Sequence, residues 1–446
     1  MSFVYDRLYG KLNYPKIIWN LLDCPGILRL REIGMGNVKF ISFPSFSAVT
    51  RYEHALGVCH LTDLASTSLN LPEKDKIELM IAALYHDVTT PPFAHAMEEI
   101  LKSYYGFDHE RHFHDLVTGQ SKDLGGSRAQ IFQGRALKLL TVCQSVEGRR
   151  IGIDSFRILK LVFGKDDDPL SNLISGDIDL DNIDNVIRSA SAMGIEGADK
   201  YLAEALAKSF VLYKGEEIAF SETAKNYIEK WKRLRETLYE MILCSTDDFS
   251  LQTMLKHALR NLIESADENI RLREEDWKLT EDEIFKKIKE HPDTKDIYRR
   301  IQLKDLYECL SLVWIEGVDV LKYIENKKNQ QALEVLSEDV FKVNVIQNYY
   351  LDKRQRNITR LFVFFDEIYQ SYNQPHEYPA LLLGFFTPDN IDFVDKDTEK
   401  KFINMKREKE FIRKLREHLP DNISLYEVKI STQNKYPRIR LGTKIT

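Results

Sequence analysis

Residues 83–99 read ALYHDVTTPPFAHAMEE and place a histidine beside an aspartate directly after an apolar run. The apolar run is typical of a buried helix, and Pro91 and Pro92 predict that this helix ends just after Asp87. Neighbouring side chains on a regular helix point about 100° apart, so His86 and Asp87 can reach one ion only where the helix ends. The stretch therefore predicts two metal ligands at the end of a buried helix.

Histidines are concentrated in one part of the chain. Seven of the eleven lie between residues 54 and 114, namely His54, His60, His86, His95, His109, His112 and His114. Imidazole is a common ligand of first-row divalent metals, and a carboxylate beside it compensates the charge of the ion. A single histidine is more often an ordinary core or surface residue, but two histidines together with two aspartates favour a metal site. The predicted ligands of one divalent metal are His54, His86, Asp87 and Asp181.

The composition limits the class of protein. The chain has 446 residues, 43% of them hydrophobic and 30% charged, with a net charge of −6. This balance is typical of a globular protein and argues against a general nucleic-acid binder, which usually carries a basic field. A local basic pocket for a phosphorylated small molecule remains compatible with it. The five cysteines form no CxxC pair, which indicates reduced thiols and no zinc framework.

The ends and the apolar segments predict a cytoplasmic protein without a membrane partner. The first residues, MSFVYDRLYGKLNYP, lack the basic and apolar regions of a signal peptide. No run approaches the ~18 uninterrupted apolar residues that a membrane-spanning helix needs.

Helical spacing of apolar residues dominates from about residue 51 to 325, which predicts a mainly α fold. NVKFISF (37–43) and FVLYKGEEIAF (210–220) predict a short strand and a hairpin with its turn at Lys214-Gly215. The polar run NKKNQQ, which begins at residue 326, predicts a boundary. We therefore expect a multi-helix domain over residues 1–325 and a smaller α+β region of unknown role over residues 326–446.

The C-terminal region shows strand-like and helical patterns in turn. Its predicted strands are FKVNVIQ (341–347), RLFVFFDEI (360–368), ALLLGFF (380–386), ISLYEV (423–428) and PRIRLGTKI (437–445). A charged segment, residues 397–419, predicts one helix with a solvated face.

The predicted metal ligands also carry a family resemblance. Their order, together with the segments FVYDRLYGKLNYPKIIWNLLDCPGILRLREIG, FPSFSAVTRYEHALGV and LYHDVTTPPFAHAMEE, resembles the HD superfamily of metal-dependent phosphohydrolases. Within it, the chain is most similar to the dNTP triphosphohydrolase branch, which includes bacterial dGTPases and the vertebrate SAM-and-HD-domain dNTPase. The resemblance implies an HD-domain core and a hydrolase that cleaves a (deoxy)nucleoside triphosphate to nucleoside and triphosphate by a metal-activated water.

The resemblance also assigns roles to further residues. Arg51 and, less directly, Arg235 match arginines that bind the substrate phosphates. His95 matches the proposed general acid, and His109 and Glu98 match the histidine and carboxylate beside it. This chemistry suits phosphate transfer, because guanidinium groups spread developing charge and a histidine can protonate the leaving oxygen. We expect Glu98, three residues after His95, to raise the pKa of that imidazole.

The chain departs from the branch at several positions. Thr90 stands where the HDxxHxPF pattern has a histidine. Asn182, Asn185 and Ser189 replace a phosphate-binding lysine, a tyrosine that packs on the sugar and an aspartate that holds the 3′-hydroxyl. Asn20 replaces an arginine of the guanine-nucleotide-activated enzymes, so no such activation is expected. The metal ligands are thus retained, whereas the sugar pocket differs.

Two alternatives follow from these departures. The chain would be either a non-catalytic HD-fold nucleotide sensor or scaffold, or an HD phosphodiesterase or phosphatase acting on another nucleotide. The sequence leaves the metal open among manganese, iron, zinc, nickel and magnesium, and a second magnesium ion could enter with the nucleotide. By analogy with the branch, the expected partners are a nucleotide substrate and further copies of the chain in a homo-oligomer.

Overall fold

The computed structural model describes residues 3–118, 139–164, 168–213, 217–354, 361–364, 367–370, 379–389 and 398–445. Helices make up most of the N-terminal three quarters of the chain. The first of them are α1 (Lys16–Leu22), α2 (Pro25–Arg29), α3 (Pro44–Ser47), α4 (Arg51–Ser68), α5 (Glu73–Tyr85), α6 (His95–Tyr105), α7 (His109–Thr118), α8 (Leu139–Cys143), α9 (Val146–Ile151) and α10 (Ser155–Phe163). They continue with α11 (Leu180–Ala192), α12 (Lys200–Lys208), α13 (Lys225–Cys244), α14 (Thr246–Glu264), α15 (Glu281–Glu290), α16 (Lys295–Leu303), α17 (Val320–Glu325), α18 (Lys327–Phe341) and α19 (Thr398–His418).

The strands of the described residues form three sheets. They are β1 (Val4–Asp6), β2 (Gly10–Leu12), β3 (Phe210–Tyr213), β4 (Glu217–Ser221), β5 (Glu308–Glu316), β6 (Ile346–Leu351), β7 (Leu361–Phe364), β8 (Glu367–Gln370), β9 (Ala380–Thr387), β10 (Ser424–Ser431) and β11 (Arg438–Ile445). An antiparallel five-stranded sheet has the order β11-β10-β5-β9-β6, a second sheet has the order β3-β4-β7-β8, and β1 pairs with β2. The predicted mainly α fold with a smaller α+β part is confirmed.

The helices that carry the site begin and end at sequence signals. Thr50 and Glu53 form a capping box at the start of α4, with the Glu53 amide donating to the Thr50 hydroxyl at 3.3 Å and the Thr50 amide to the Glu53 carboxylate at 3.1 Å. The last turns of α5 are buried, and the helix ends at Tyr85, so His86 stands at its C-cap as expected. Asp179 caps α11 by accepting from the Asn182 amide at 2.7 Å.

The five-stranded sheet packs on both faces, because successive side chains of a strand point to opposite sides. Trp314 and Leu382 join the main helical core, whereas Val313 and Leu383 belong to a second core with Phe411 of α19. The register pairs Trp314 with Leu382 and Val313 with Leu383. The sheet is thus a layer between the main helical body and the C-terminal helices.

Several predicted elements differ from the structure. Residues 37–43 form no strand: the amides of Ile41 and Ser42 donate to the Asp248 carboxylate instead of to a neighbouring strand. The polar run, where a boundary was expected, is the start of α18. Its N-cap residue, Asn326, accepts from the backbone amides of Lys328 and Asn329.

The strand predictions after residue 340 are confirmed in part. Residues 341–347 contain the end of α18 before β6 begins, and residues 360–368 contain parts of two strands, β7 and β8. The predictions over residues 380–386, 423–428 and 437–445 and the charged helix are confirmed. So is the hairpin of β3 and β4, although its expected turn at residues 214–215 lies outside the described residues.

The division at residue 325 stays a prediction. The sequence did not reveal β5, which lies before residue 325 and pairs with β9 and β10 on its two sides. A division at 325 would therefore separate β5 from both of its neighbours.

Among the described helices, none is both long and apolar enough to cross a bilayer.

Candidate metal centre and adjoining cavities

Three of the four predicted metal ligands meet at one point. His54 comes from the first turn of α4, His86 from the end of α5 and Asp181 from the first turn of α11. The His54 Nε2 lies 2.9 Å from the Asp181 Oδ1 and 3.2 Å from the His86 Nε2. One ligand atom from each residue lies within 4.8 Å of the others, so together they could hold one ion.

Asp87 lies beside this cluster and also pairs with an arginine. Its Oδ2 is 3.4 Å from the His86 Nε2 and 3.8 Å from the His54 Nε2. The same oxygen accepts a hydrogen bond from the Arg51 Nη1 at 2.6 Å, and the Oδ1 accepts from the Thr90 hydroxyl at 2.9 Å. Burial alone would raise the pKa of Asp87, but the charges of Arg51 and His86 hold it well below its usual value. Its role as a fourth ligand stays a prediction.

Asp184, which the sequence reasoning did not single out, orients His54. The His54 Nδ1 lies 2.7 Å from the Asp184 Oδ2. Burial would raise the pKa of Asp184, but the charge of Arg188 and the bond with His54 lower it well below its usual value, so the carboxylate accepts. His54 therefore donates to Asp184 through Nδ1, and its Nε2 is directed at the cluster. The signal was available, because Asp184 follows Asp181 by three residues on one helix.

A buried network holds Asp184 in turn. It accepts from the Arg188 Nε at 2.8 Å and from the Tyr9 hydroxyl at 2.7 Å, and Arg188 also donates to Asp6 at 2.8 Å. A β-carbon on Gly57 would lie 2.1 Å from the Asp184 Oδ1, so only glycine lets α4 approach α11 this closely. The N-terminal hairpin and two helices thus fix the His54 ring.

The donor set fits a divalent cation. The His86 Nδ1 lies 2.7 Å from the Ala83 carbonyl and donates to it, which directs its Nε2 at the cluster, as in His54. Burial would lower the pKa of His54, but its hydrogen bonds to Asp181 and Asp184 raise it to about 9. This records an excess of negative charge that a cation would neutralise. Two imidazole nitrogens and a carboxylate suit a first-row divalent metal.

Replacing Asp184 with asparagine should weaken metal binding about 10- to 100-fold, because outer carboxylates that orient a ligating histidine contribute by that factor. Titration of the metal-free protein with Mn²⁺ measures the dissociation constant. Asp63→Asn, which removes a carboxylate of α4 that pairs with Lys76, is the matched control and should leave the constant unchanged. Equal affinity in Asp184→Asn and wild type would contradict the orienting role.

The predicted acid and its neighbours form a second cluster. Glu98 accepts from the His95 Nδ1 at 3.0 Å and from the His109 Nδ1 at 2.8 Å. The hydrogen bond with Glu98 raises the pKa of His109. The expected rise of the His95 pKa is wrong: the positive charge of Lys353 lowers it and outweighs the bond to Glu98. The sequence could not anticipate this, since Lys353 is distant along the chain.

Two cavities adjoin these clusters. The Asp181 cavity, of about 630 Å³, is lined by His86, Asp87, Asp181, His109 and further acidic residues. The Arg51 cavity, of about 520 Å³, is lined by His95 and by four cationic side chains: Arg51, Lys102, Lys256 and Lys353. Three carboxylates also line the Arg51 cavity, and two of them are engaged: Glu98 by the histidines and Glu99 by Lys256 at 2.7 Å. Asp87 lines the Asp181 cavity and pairs with Arg51 of the other cavity, so this ion pair links the walls of the two cavities beside the metal cluster.

The remaining predicted residues occupy different walls. Asn185 and Ser189 line the Arg51 cavity, whereas Asn182 lines the Asp181 cavity. Arg235 is buried, with its guanidinium 4.7 Å from the ring of Tyr239, and Tyr239 lines the Arg51 cavity. Arg235 thus lies behind a residue of the wall, and its phosphate-binding role stays a prediction.

Three lysines that line the Arg51 cavity were not predicted from the sequence. Lys102 follows Glu98 by four residues on α6, a spacing that could have indicated it. Lys256 on α14 and Lys353 after β6 carry no local signal, because only tertiary packing brings them to the cavity.

Comparisons with known proteins agree with this geometry. Residues 51–161 match the family model of the HD domain, a range that includes both predicted histidine ligands and all three predicted acid–base residues. The uncharacterized protein MG461 of Mycoplasma genitalium is 25% identical over 264 residues, which are 57% of this chain and 58% of that protein. The deoxynucleoside triphosphate triphosphohydrolase SAMHD1 homolog of Dictyostelium discoideum is 30% identical over 120 residues, 24% of this chain and 23% of that protein.

A solved structure shares the overall fold. The crystal structure of a hypothetical protein from Aquifex aeolicus superimposes with a TM-score of 0.63 at 18% identity, covering 92% of this chain and 99% of that one. The curated relatives match over less than two thirds of their own length. Residues 51–161 of this chain are thus similar to the HD domain.

Proposed function

We propose that this chain is a metal-dependent hydrolase that cleaves a (deoxy)nucleoside triphosphate to nucleoside and triphosphate. The observation that carries the proposal is the meeting of the histidine–aspartate cluster with the cation-lined Arg51 cavity, through the 2.6 Å pair of Arg51 and Asp87. The matched SAMHD1 homolog, a deoxynucleoside triphosphate triphosphohydrolase by name, supports this substrate class. The cavity volume of about 520 Å³ lies within the range of small-ligand sites.

The metal would be held by His54, His86, Asp87 and Asp181. Manganese, iron, zinc, nickel and magnesium all suit this set, and a bound divalent ion would act as a Lewis acid on a phosphate ester. Arg51 lines the Arg51 cavity and pairs with Asp87, so its guanidinium can exchange Asp87 for a phosphate oxygen of the substrate. A second magnesium ion would enter with the nucleotide.

His95 would supply the proton for the leaving group. In the proposed reaction water attacks the α-phosphorus and gives up its protons to solvent. The bond from phosphorus to the 5′-oxygen breaks, this oxygen takes the proton of His95, and solvent then reprotonates His95. The His95 side chain is 62% exposed and lines the Arg51 cavity, so a substrate can reach it. Glu98 holds the ring through Nδ1, which leaves Nε2 as the atom that carries the transferred proton. His109 shares Glu98 and holds that carboxylate in place.

A non-catalytic nucleotide sensor or scaffold is the second candidate function. The observation that favours it is Thr90, which stands in place of a histidine and donates to Asp87. A phosphodiesterase or phosphatase acting on another nucleotide is the third. The intact His95–Glu98–His109 cluster supports an enzyme over a sensor.

Incubation of the Mn²⁺-loaded protein with a panel of dNTPs, NTPs and cyclic nucleotides tests the proposal. Chromatography should show nucleoside and triphosphate in equal amounts from at least one triphosphate. Release of orthophosphate or a monophosphate would favour the phosphatase or phosphodiesterase. Nucleotide binding without any product would favour the sensor. The cytoplasmic location and the homo-oligomer stay predictions.

A further inference from the structure

The end of β6 reaches the Arg51 cavity from the C-terminal region. Tyr350, Leu351 and Lys353 line this cavity together with Arg51 and His95. The first three belong to the sheet region, and the last two belong to the HD domain. A single cavity is therefore built by both parts of the chain.

The strand that precedes Lys353, β6, is fastened to the helical body. Tyr350 donates its hydroxyl to the Asp248 carbonyl at 3.3 Å, and its ring stacks on Phe249 at 4.2 Å between centroids. About two turns further along α14, the buried Lys256 donates to the Asn348 side chain at 3.0 Å. These contacts fix β6 against the helix that forms one wall of the cavity.

The residues on either side of Lys353 are also held. The Asp352 amide donates to the Ala380 carbonyl at 2.9 Å, which continues the pairing of β6 with β9. Arg354 pairs with Asp352 at 3.0 Å and lies 3.5 Å from Glu240 of α13. Lys353 therefore lies between two anchored neighbours, which limits where its side chain can go.

Among the described residues, no direct partner compensates the charge of Lys353. Within the described part of the chain, no carboxylate oxygen lies within 4.0 Å of its ammonium nitrogen. Two of the other three cations of this cavity are engaged, Arg51 by Asp87 and Lys256 by Glu99, and the remaining one, Lys102, is exposed. A half-buried cation that faces a cavity without a partner is a site for an anion.

We propose that Lys353 binds the polyphosphate of the substrate, so that the sheet region completes the active site rather than forming a separate appendage. The inference rests on the proposed function for the identity of the anion. It assigns a role to a region that no motif of the sequence explains.

The same lysine connects substrate binding with His95. The charge of Lys353, with a smaller contribution from Arg51, lowers the pKa of His95, whereas Glu98 acts in the opposite direction. A phosphate placed between Lys353 and His95 would offset the positive charge and raise the pKa of the imidazole. The proton would then be held by His95 when the anion is bound.

The test compares the full-length wild type with Lys353→Met and Lys353→Arg. Calorimetry with inorganic triphosphate measures binding without any hydrolysis. Lys353→Met should weaken binding about 10- to 100-fold, since a charge-assisted contact is removed, while Lys353→Arg should stay within about threefold. Lys342→Met, which removes a lysine of the same region that pairs with Asp339, is the matched control and should bind as wild type.

A second readout separates binding from a general loss of structure. Histidine resonances followed by NMR should show a higher pKa for His95 in Lys353→Met than in wild type, with the signal assigned by His95→Ala. Unchanged triphosphate affinity together with an unchanged His95 pKa would overturn the inference, and so would a wild-type protein that binds no triphosphate. The nucleotide panel on the same preparations tests the proposed function independently. If the wild type hydrolyses a nucleotide while Lys353→Met changes neither the triphosphate affinity nor the pKa of His95, the role of Lys353 is rejected and the proposed function stands.

Discussion

A double variant with alanine at His86 and Asp87 should lose its bound divalent metal and keep its helical fold. Two side chains at the cluster would be missing, and neither one belongs to the apolar core. Nucleotide hydrolysis should fall by at least about a thousandfold, because a bound metal contributes several kcal/mol to phosphate-ester cleavage. Elemental analysis of the purified protein measures the metal, and circular dichroism verifies the fold.

The matched control replaces another histidine and another aspartate with alanine, at His60 and Asp63. Both lie on α4 outside the cluster, beside Glu204 and Lys76. The control should keep a full equivalent of metal. If the variant at His86 and Asp87 also keeps a full equivalent, these residues are not the ligands.

Replacing His95 with alanine should lower kcat about 10²- to 10⁴-fold, the usual contribution of a general acid. KM and metal content should change little, because His95 lies in the Arg51 cavity and outside the metal cluster. Steady-state kinetics on the best triphosphate of the panel provides the measurement.

His114→Ala is the control for this change. His114 lies on α7, is 48% exposed and pairs with Asp115, so its loss should leave kcat unchanged. A kcat within about threefold of wild type in His95→Ala would remove the acid role from His95. The neighbouring His109 would then be the proton donor to examine.

Local sequence signals were sufficient to predict the helical frame of the site. The proline pair after Asp87 acts within a few residues, and α5 ends at Tyr85, close to the predicted end. Apolar spacing predicted helices from about residue 51, where α4 begins. The order of His54, His86 and Asp181 likewise predicted the cluster, because each lies at the end of a helix that the apolar pattern reveals.

Features that depend on distant packing could not be read from the sequence. Residues 37–43 have the alternating pattern of a strand. The amides of Ile41 and Ser42 nevertheless donate to the Asp248 carboxylate, more than 200 residues further along the chain. The pKa of His95 is lowered because the fold places the charge of Lys353, which is distant along the chain, close to the imidazole. Local spacing predicted only the effect of Glu98, which acts in the opposite direction.

The backbone immediately before His95 has an energetic consequence for the whole protein. Phe93 and Ala94 have φ angles of 58° and 47°, in the left-handed region that residues with a β-carbon avoid. Such residues cost about 1–3 kcal/mol each, and the T-shaped packing of Phe93 against Phe285 at 5.0 Å helps to hold them. Glycine at position 94 would relieve that strain and stabilise the native state. It would also make the backbone directly before His95 more flexible and the position of the imidazole less fixed. At this position, higher stability and precise placement of the acid group therefore oppose each other.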